Sequence, residues 1–189
     1  NIFLFQEVQR LADVLAKVKF MLAQLQLAIK GEVVMTGELQ GALDKMAAAA
    51  VPHTWTFTPA GDEFSWIMPT LGLWFSSLIS RDDQDRSWLN TGRPNCYWMT
   101  GWFNPTGFLT AMKQEVTRRH KAEQWALDDM IYHTDVTGMA NKEHVRAPAG
   151  EGIFVHGLYL DGGAWSKSEK IMVEQEPKKL FQLLPVLLV

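Results

Sequence analysis

Asp128, Asp129, His133 and Asp135, followed by Glu143 and His144, form the most enzyme-like constellation in the 189-residue chain. Carboxylates combined with imidazole can hold a divalent cation or exchange protons with a substrate. If residues 127–137 form one strand, Asp129, His133 and Asp135 share parity and their side chains lie on one face. That arrangement would suit a small metal-dependent hydrolase acting through His133 and Asp135. The spacing matches no metal signature, however, and alternating polar residues equally describe the solvated face of a strand. The sequence holds no G-x-x-x-x-G-K-[ST] loop, no H-E-x-x-H pair, no G-x-S-x-G elbow and no C-x-x-C. Gly150-Glu151-Gly152 lacks the following helix that a phosphate site would need and reads as a turn into a strand. No catalytic, cofactor-binding or metal-binding residue is assigned.

Other residues invite binding chemistry more weakly. Eight tryptophans could stack on a glycan or peptide. Trp74 and Trp88 fall at helical core positions and Trp98 lies in an apolar run, which leaves Trp55, Trp125 and Trp165 for an exposed platform. The lone cysteine, Cys96, forms no internal disulfide and reads as a small core residue. His53, His120, His144 and His156 are singletons, and His156, inside an apolar run, reads as structural. Arg118-Arg119-His120-Lys121 reads as a solvated helix end rather than an anion site. A net charge of −3 argues against binding to nucleic acid. The longest uncharged stretch, 64–80, contains Pro69 and several serines and falls short of the roughly 20 apolar residues of a membrane span. With no visible signal peptide, the expectation is an intracellular, soluble fragment of something longer.

These groups must be positioned by an α+β fold, with helices first and a small antiparallel sheet or incomplete barrel last. Leu4, Val8, Leu11, Leu15, Val18, Leu22, Leu25 and Ile29 alternate spacings of four and three, which predicts one face of a long helix. Phe5, Ala12, Met21 and Ala28 widen it beyond a coiled-coil seam, and Lys30-Gly31 closes it. Thr36 caps a second helix with Leu39, Leu43, Met46 and Ala47 inward, stopped by Val51-Pro52. An aromatic stretch with a Pro59-Ala60-Gly61-Asp62 turn follows. A third helix opens near Pro69 and turns Leu71, Trp74, Phe75, Leu78, Ile79, Trp88 and Leu89 inward. Asn104-Pro105 starts a fourth, burying Phe108, Leu109, Met112 and Val116. Strands are expected within 127–137, 152–160, 171–173 and 181–189, with turns at Asp161-Gly162-Gly163 and Ser166-Lys167-Ser168. Pro185 argues that the last strand is an edge or bulged strand. The expected division is a helical subdomain, 1–121, and a β subdomain, 122–189.

The run Gly92-Arg93-Pro94-Asn95-Cys96-Tyr97-Trp98-Met99-Thr100-Gly101-Trp102-Phe103-Asn104-Pro105-Thr106-Gly107-Phe108-Leu109-Thr110-Ala111-Met112 resembles a segment near the carboxy terminus of dynein heavy chains. So do Gln24-Leu25-Gln26-Leu27-Ala28-Ile29-Lys30-Gly31, Trp74-Phe75 with Trp88-Leu89, Lys113-Gln114-Glu115-Val116-Thr117-Arg118 and Trp125-Ala126-Leu127-Asp128. Gly152-Ile153-Phe154-Val155-His156-Gly157-Leu158-Tyr159-Leu160-Asp161-Gly162 and Leu184-Pro185-Val186 continue the likeness over essentially the whole of 1–189. It is more similar to axonemal dyneins, of the outer-arm kind, than to cytoplasmic ones. Gly37, Gly41 and an apparent insertion at Ala122-Glu123-Gln124 depart from the family pattern.

The resemblance implies a non-catalytic carboxy-terminal cap on the AAA+ ring of a minus-end-directed microtubule motor of cilia or flagella. It places ATP and magnesium in the parent ring rather than in this segment. It implies AAA+ modules of the same polypeptide as contacts, microtubules and other dynein chains as partners of the parent, and neither nucleic acid nor membrane. The alternatives from the residues alone remain a Trp-rich ligand-binding module and the His133/Asp135 hydrolase.

Overall fold

A computed structural model describes residues 2–57, 70–179 and 181–189. The turn at Pro59–Asp62, Trp66 and the helix start at Pro69 lie outside the described residues. The remainder is α+β, with four α-helices and six short strands. The chain divides into two compact units, Asn1–Asp85 and Arg86–Val189. The boundary expected between residues 121 and 122 falls inside the second.

In the first unit α1 runs Ile2–Ile29. It ends as Lys30-Gly31 predicts: Gly31 takes φ +79° and donates to the Ala28 carbonyl, while Glu32 donates to that of Leu27. The buried face is not the one the apolar spacing selects. Leu4, Leu11, Val18 and Leu25 are inside, but their partners are Glu7, Val14, Met21 and Ala28. The row Val8, Leu15, Leu22 and Ile29 is rotated to the flank, with Val8 and Leu22 half-buried, and Phe5, Ala12, Leu15 and Ile29 are exposed. The helix thus buries a carboxylate in preference to leucine and isoleucine.

Thr36 caps α2 (Gly37–Ala47), its hydroxyl accepting from the Leu39 amide. Ala42 is the residue α2 buries; Leu39, Leu43 and Met46 are half-buried and Ala47 is exposed. Gly37 is the first helical residue, where glycine costs little, whereas Gly41 stands in the exposed interior. A 3-10 turn, His53–Thr56, drops Trp55 onto α1, where its indole N–H meets the Met21 sulfur at 3.0 Å. Trp55 also packs on Trp74 of α3 (Leu71–Thr91), ring centroids 5.6 Å apart. Along α3 the buried residues are Trp74, Ser77, Leu78, Arg81, Asp85 and Trp88. Ile79 and Leu89, expected inward, are exposed, because polar side chains occupy their places on the inner stripe.

The second unit carries a mixed sheet in the order β1-β3-β6-β2. β1 (Cys96–Trp98) runs parallel to β3 (Phe154–His156), a departure from the antiparallel expectation, while β6 (Leu187–Leu188) is antiparallel to both β3 and β2 (Asp135–Val136). β6 is therefore interior, correcting the edge or bulged reading. Pro185 stands just ahead of it, buried, so the missing N–H interrupts no rung of the ladder. β4 (Gly163–Ser166) and β5 (Ile171–Glu174) form a separate hairpin.

α4 (Pro105–Arg119) is started by Asn104, whose side chain accepts from Gly107 N–H at 2.9 Å, with Pro105 at the first helical position. Phe108 and Val116 are buried; Leu109 and Met112 are half-buried. Tyr97 and Phe108 pack at 4.9 Å and Trp88 against Trp102 at 5.9 Å, joining α4 and β1 in one aromatic core. Glycine is required at two positions of the 152–162 run. Gly152 (φ +75°) lies against the Val189 carbonyl and Gly157 (φ +83°) against the Trp98 indole, where an added Cβ would come to 2.2 and 2.4 Å.

Candidate functional site

The predicted acid–base group does not assemble. Only Asp135–Val136 of 127–137 is strand, and Leu127 to Asp129 form a turn, so the parity argument fails. His133 Nε2 and Asp135 Oδ1 are 3.1 Å apart, but the side chains are 81% and 64% exposed. The pair lies in solvent, where water competes for both side chains. Glu143 and His144 belong to a 3-10 turn, Lys142–His144, elsewhere along the chain. Among the described residues no three His, Cys, Asp or Glu converge as metal donors.

The tryptophans divide differently from the expectation. Trp55 is fully buried, so it is a core residue and not a platform; Trp165 is half-buried; Trp125 is exposed. Trp125 stacks on His120, ring centroids 3.8 Å apart and nearly parallel, and His120 Nε2 meets Glu151 at 2.8 Å. The basic end of α4 is thereby tied down. Arg119 reaches Glu115 at 3.5 Å and the Gly150 carbonyl at the same distance. Glu115 also pairs with Arg93, whose hydrogen bond holds its carboxyl below the usual range. Cys96 is half-buried, and burial pushes its thiol up to about 11, so it is not a nucleophile at neutral pH. His156 is pushed down to about 4, first by burial and then by Lys142, and stays neutral.

Beside these residues the second unit holds a cavity of about 300 Å³. Leu109, Met112, Lys113, Val116 and Arg119 of α4 form one wall; Trp125, Met130 and Tyr132 form another, with the exposed Ile131 at its rim. Ile153, Leu188 and Val189 close the sheet side, with His133, Asp135 and Glu151 at the rim. Apolar periodicity finds the α4 wall, because residues 109, 112 and 116 share a helix face. No sequence pattern places the 125–132 turn opposite it.

A second feature missed from sequence is a buried ionic cluster in the first unit. Glu7 is 1% exposed and accepts from Arg10 at 2.6 Å. Arg81 and Asp85, also buried, interact electrostatically with it. Asp85 is pushed up to about 7, chiefly by burial and then by Glu7 and Asp82, against the pull of Arg81. Burial brings Arg81 down to about 9, opposed by Glu7 and Asp85. The available signal was phase: Glu7 lies three residues after Leu4 and four before Leu11, and Arg81 and Asp85 repeat with Trp74, Leu78 and Trp88.

On α1, Ile2, Phe5, Leu15 and Ile29 are 79%, 70%, 44% and 64% exposed, spread over the flanks of the helix outside its buried face.

The family model for the C-terminal domain of dynein heavy chains matches residues 1–189. The sequence is 46% identical over 187 residues to mouse "Dynein axonemal heavy chain 5" and, over the same length, to human "Dynein axonemal heavy chain 8". It is 44% identical over 188 residues to the Chlamydomonas reinhardtii "Dynein gamma chain, flagellar outer arm". Each alignment takes in 99% of this chain and 4% of the relative.

Proposed function

This chain belongs to the family of C-terminal domains of dynein heavy chains, and on that footing we propose that it is a non-catalytic cap of an axonemal dynein motor ring. The parent polypeptide would be a microtubule-dependent ATPase of the ciliary or flagellar axoneme. ATP and magnesium would act in its AAA+ ring, which lies outside residues 1–189. The cap would tune coupling between ring modules rather than perform chemistry: a rigid body that bridges modules biases their rotation relative to one another.

The observation that carries this reading is that Phe5, Leu15 and Ile29 stay exposed on α1, whose packed face is already filled. Large apolar side chains left in water on the flanks of a well-packed helix suit a surface that another body covers. The proposed cover is an AAA+ module of the same polypeptide. The buried Glu7 supports the assignment of faces, since rotating the helix to hide these side chains would expose its packed side and disrupt the ionic cluster.

The test adds the purified domain to a motor ring lacking it and measures co-sedimentation and ATPase rate. Saturable binding that changes the rate, lost in Phe5→Glu and Leu15→Glu, is the expected result. A dynein deleted of this segment that kept normal motility and ATPase rates would overturn the proposal.

A further inference from the structure

The cavity of the second unit has a chemistry that the cap reading does not use. Its walls are Leu109, Met112, Val116, Trp125 and Met130, apolar or adaptable side chains with room for about ten waters. That volume is at the lower end for ligand sites and suits one large side chain rather than a cofactor. The rim charges are mostly spoken for: Glu151 by His120, Asp135 by His133, Arg119 by Glu115. Lys113 differs. Its ammonium lies 5.5 Å from the centroid of the Tyr132 ring, and no carboxylate among the described residues is within ion-pair distance. An apolar hole whose mouth holds a cation resting on an aromatic ring, with no carboxylate of the described residues beside it, is complementary to an apolar anchor side chain next to a carboxylate.

From this juxtaposition we infer that the cavity is a docking socket for a peptide segment of the same dynein polypeptide, one that inserts an aromatic or long aliphatic residue next to an Asp or Glu. The inference rests on the dynein reading. The choice of source follows from size. One anchor and one exposed charge give an affinity near the millimolar range, too weak for a free partner at cellular concentration. A segment of the same polypeptide needs no free concentration, since its attachment sets an effective concentration that reaches about millimolar when the intervening chain is short. Relatives supply such polypeptide in abundance, since this chain spans 4% of their length.

The test places a photo-crosslinking phenylalanine analogue at Ile131, a rim position 88% exposed and so tolerant of substitution, within the full-length dynein polypeptide. Crosslinks are mapped by mass spectrometry. The same analogue at Ile171, on the β4–β5 hairpin and away from the cavity lining, serves as control. The expected product is an intrachain crosslink to a segment bearing a large apolar residue adjacent to Asp or Glu. Its yield should fall about threefold or more in Lys113→Met, a change of charge on a half-exposed side chain. A crosslink to a different protein, to a segment without an acidic residue, or no product at Ile131 beyond that at Ile171 would overturn the socket. A yield unchanged in Lys113→Met would do the same. Sedimentation with the ring separates the two proposals: a domain that binds the ring without this crosslink removes the socket and leaves the cap.

Discussion

Replacing Asp85 by asparagine should stabilise the first unit at alkaline pH and flatten its pH dependence. In the folded protein the carboxyl titrates at about 7, against an ordinary value of 3.8, because burial and the neighbouring carboxylates of Glu7 and Asp82 disfavour its charge. The folded state therefore holds a proton that the unfolded state has lost, and stability falls as pH rises through that window. At about 1.4 kcal/mol per tenfold change, the penalty is about 2 kcal/mol at pH 5 and reaches about 4 kcal/mol at pH 8, a ceiling for a site that water can partly reach. The variant should thus gain about 2–3 kcal/mol over the wild type between these two pH values. Urea unfolding followed by the fluorescence of Trp55 and Trp74, repeated from pH 5 to 8, reads the difference directly. His156 acts with the opposite sign: its folded value of about 4 lies below the ordinary 6.5, so stability rises with pH in that range. It lies in the second unit, is common to both proteins and cancels in the comparison. Profiles that superimpose would refute the claim that Asp85 is held protonated. A variant less stable than wild type at pH 8 would show that the carboxylate acts as the ion-pair partner of Arg81 instead.

Gly157→Ala forces a Cβ to within 2.4 Å of the Trp98 indole at φ +83°, and should lower the stability of the second unit by about 2 kcal/mol in denaturant unfolding. Gly41→Ala, with open space around the new methyl in an exposed helix interior, should raise the melting temperature and add about 0.5–1 kcal/mol. Asn104→Ala removes the acceptor of the Gly107 amide and should cost about 1 kcal/mol, with faster hydrogen exchange confined to the first turn of α4.

The readable parts of this fold were those where one residue fixes one local geometry. Gly31, Thr36 and Asn104-Pro105 mark helix ends by mechanisms that hold whatever surrounds them, and each does so here. The phase of α1 was not readable in that way. Both rows through Leu4 and Leu11 fit the helical repeat, and the row with four apolar members looked better than the one containing Glu7. What decides between them is a partner on α3, seventy-odd residues away, that makes burying Glu7 tolerable. The same blindness hid Arg81 and Asp85 and put Ile79 and Leu89 inside. Around His133 the alternation of polar and apolar residues fits a strand, but the segment finds a ladder partner only at Asp135–Val136. Of the cavity, the α4 wall was legible and the opposite wall was not, since a turn's position depends on contacts such as His120 on Trp125. Within the 152–162 run that carries part of the dynein likeness, packing leaves no room for a side chain at Gly152 and Gly157.

The placement of β6 sets the order in which the second unit can form. Its two residues sit between β3 and β2, yet they are the last of the six strands to leave the ribosome. Until they emerge, β2 has no neighbour in the sheet, and β3 holds only its parallel contact with β1. The sheet is thus closed from its centre by the latest residues, through pairings distant in sequence, which slows assembly and leaves strand edges open meanwhile. The first unit needs none of these strands, and can be complete while the second is still waiting for its middle.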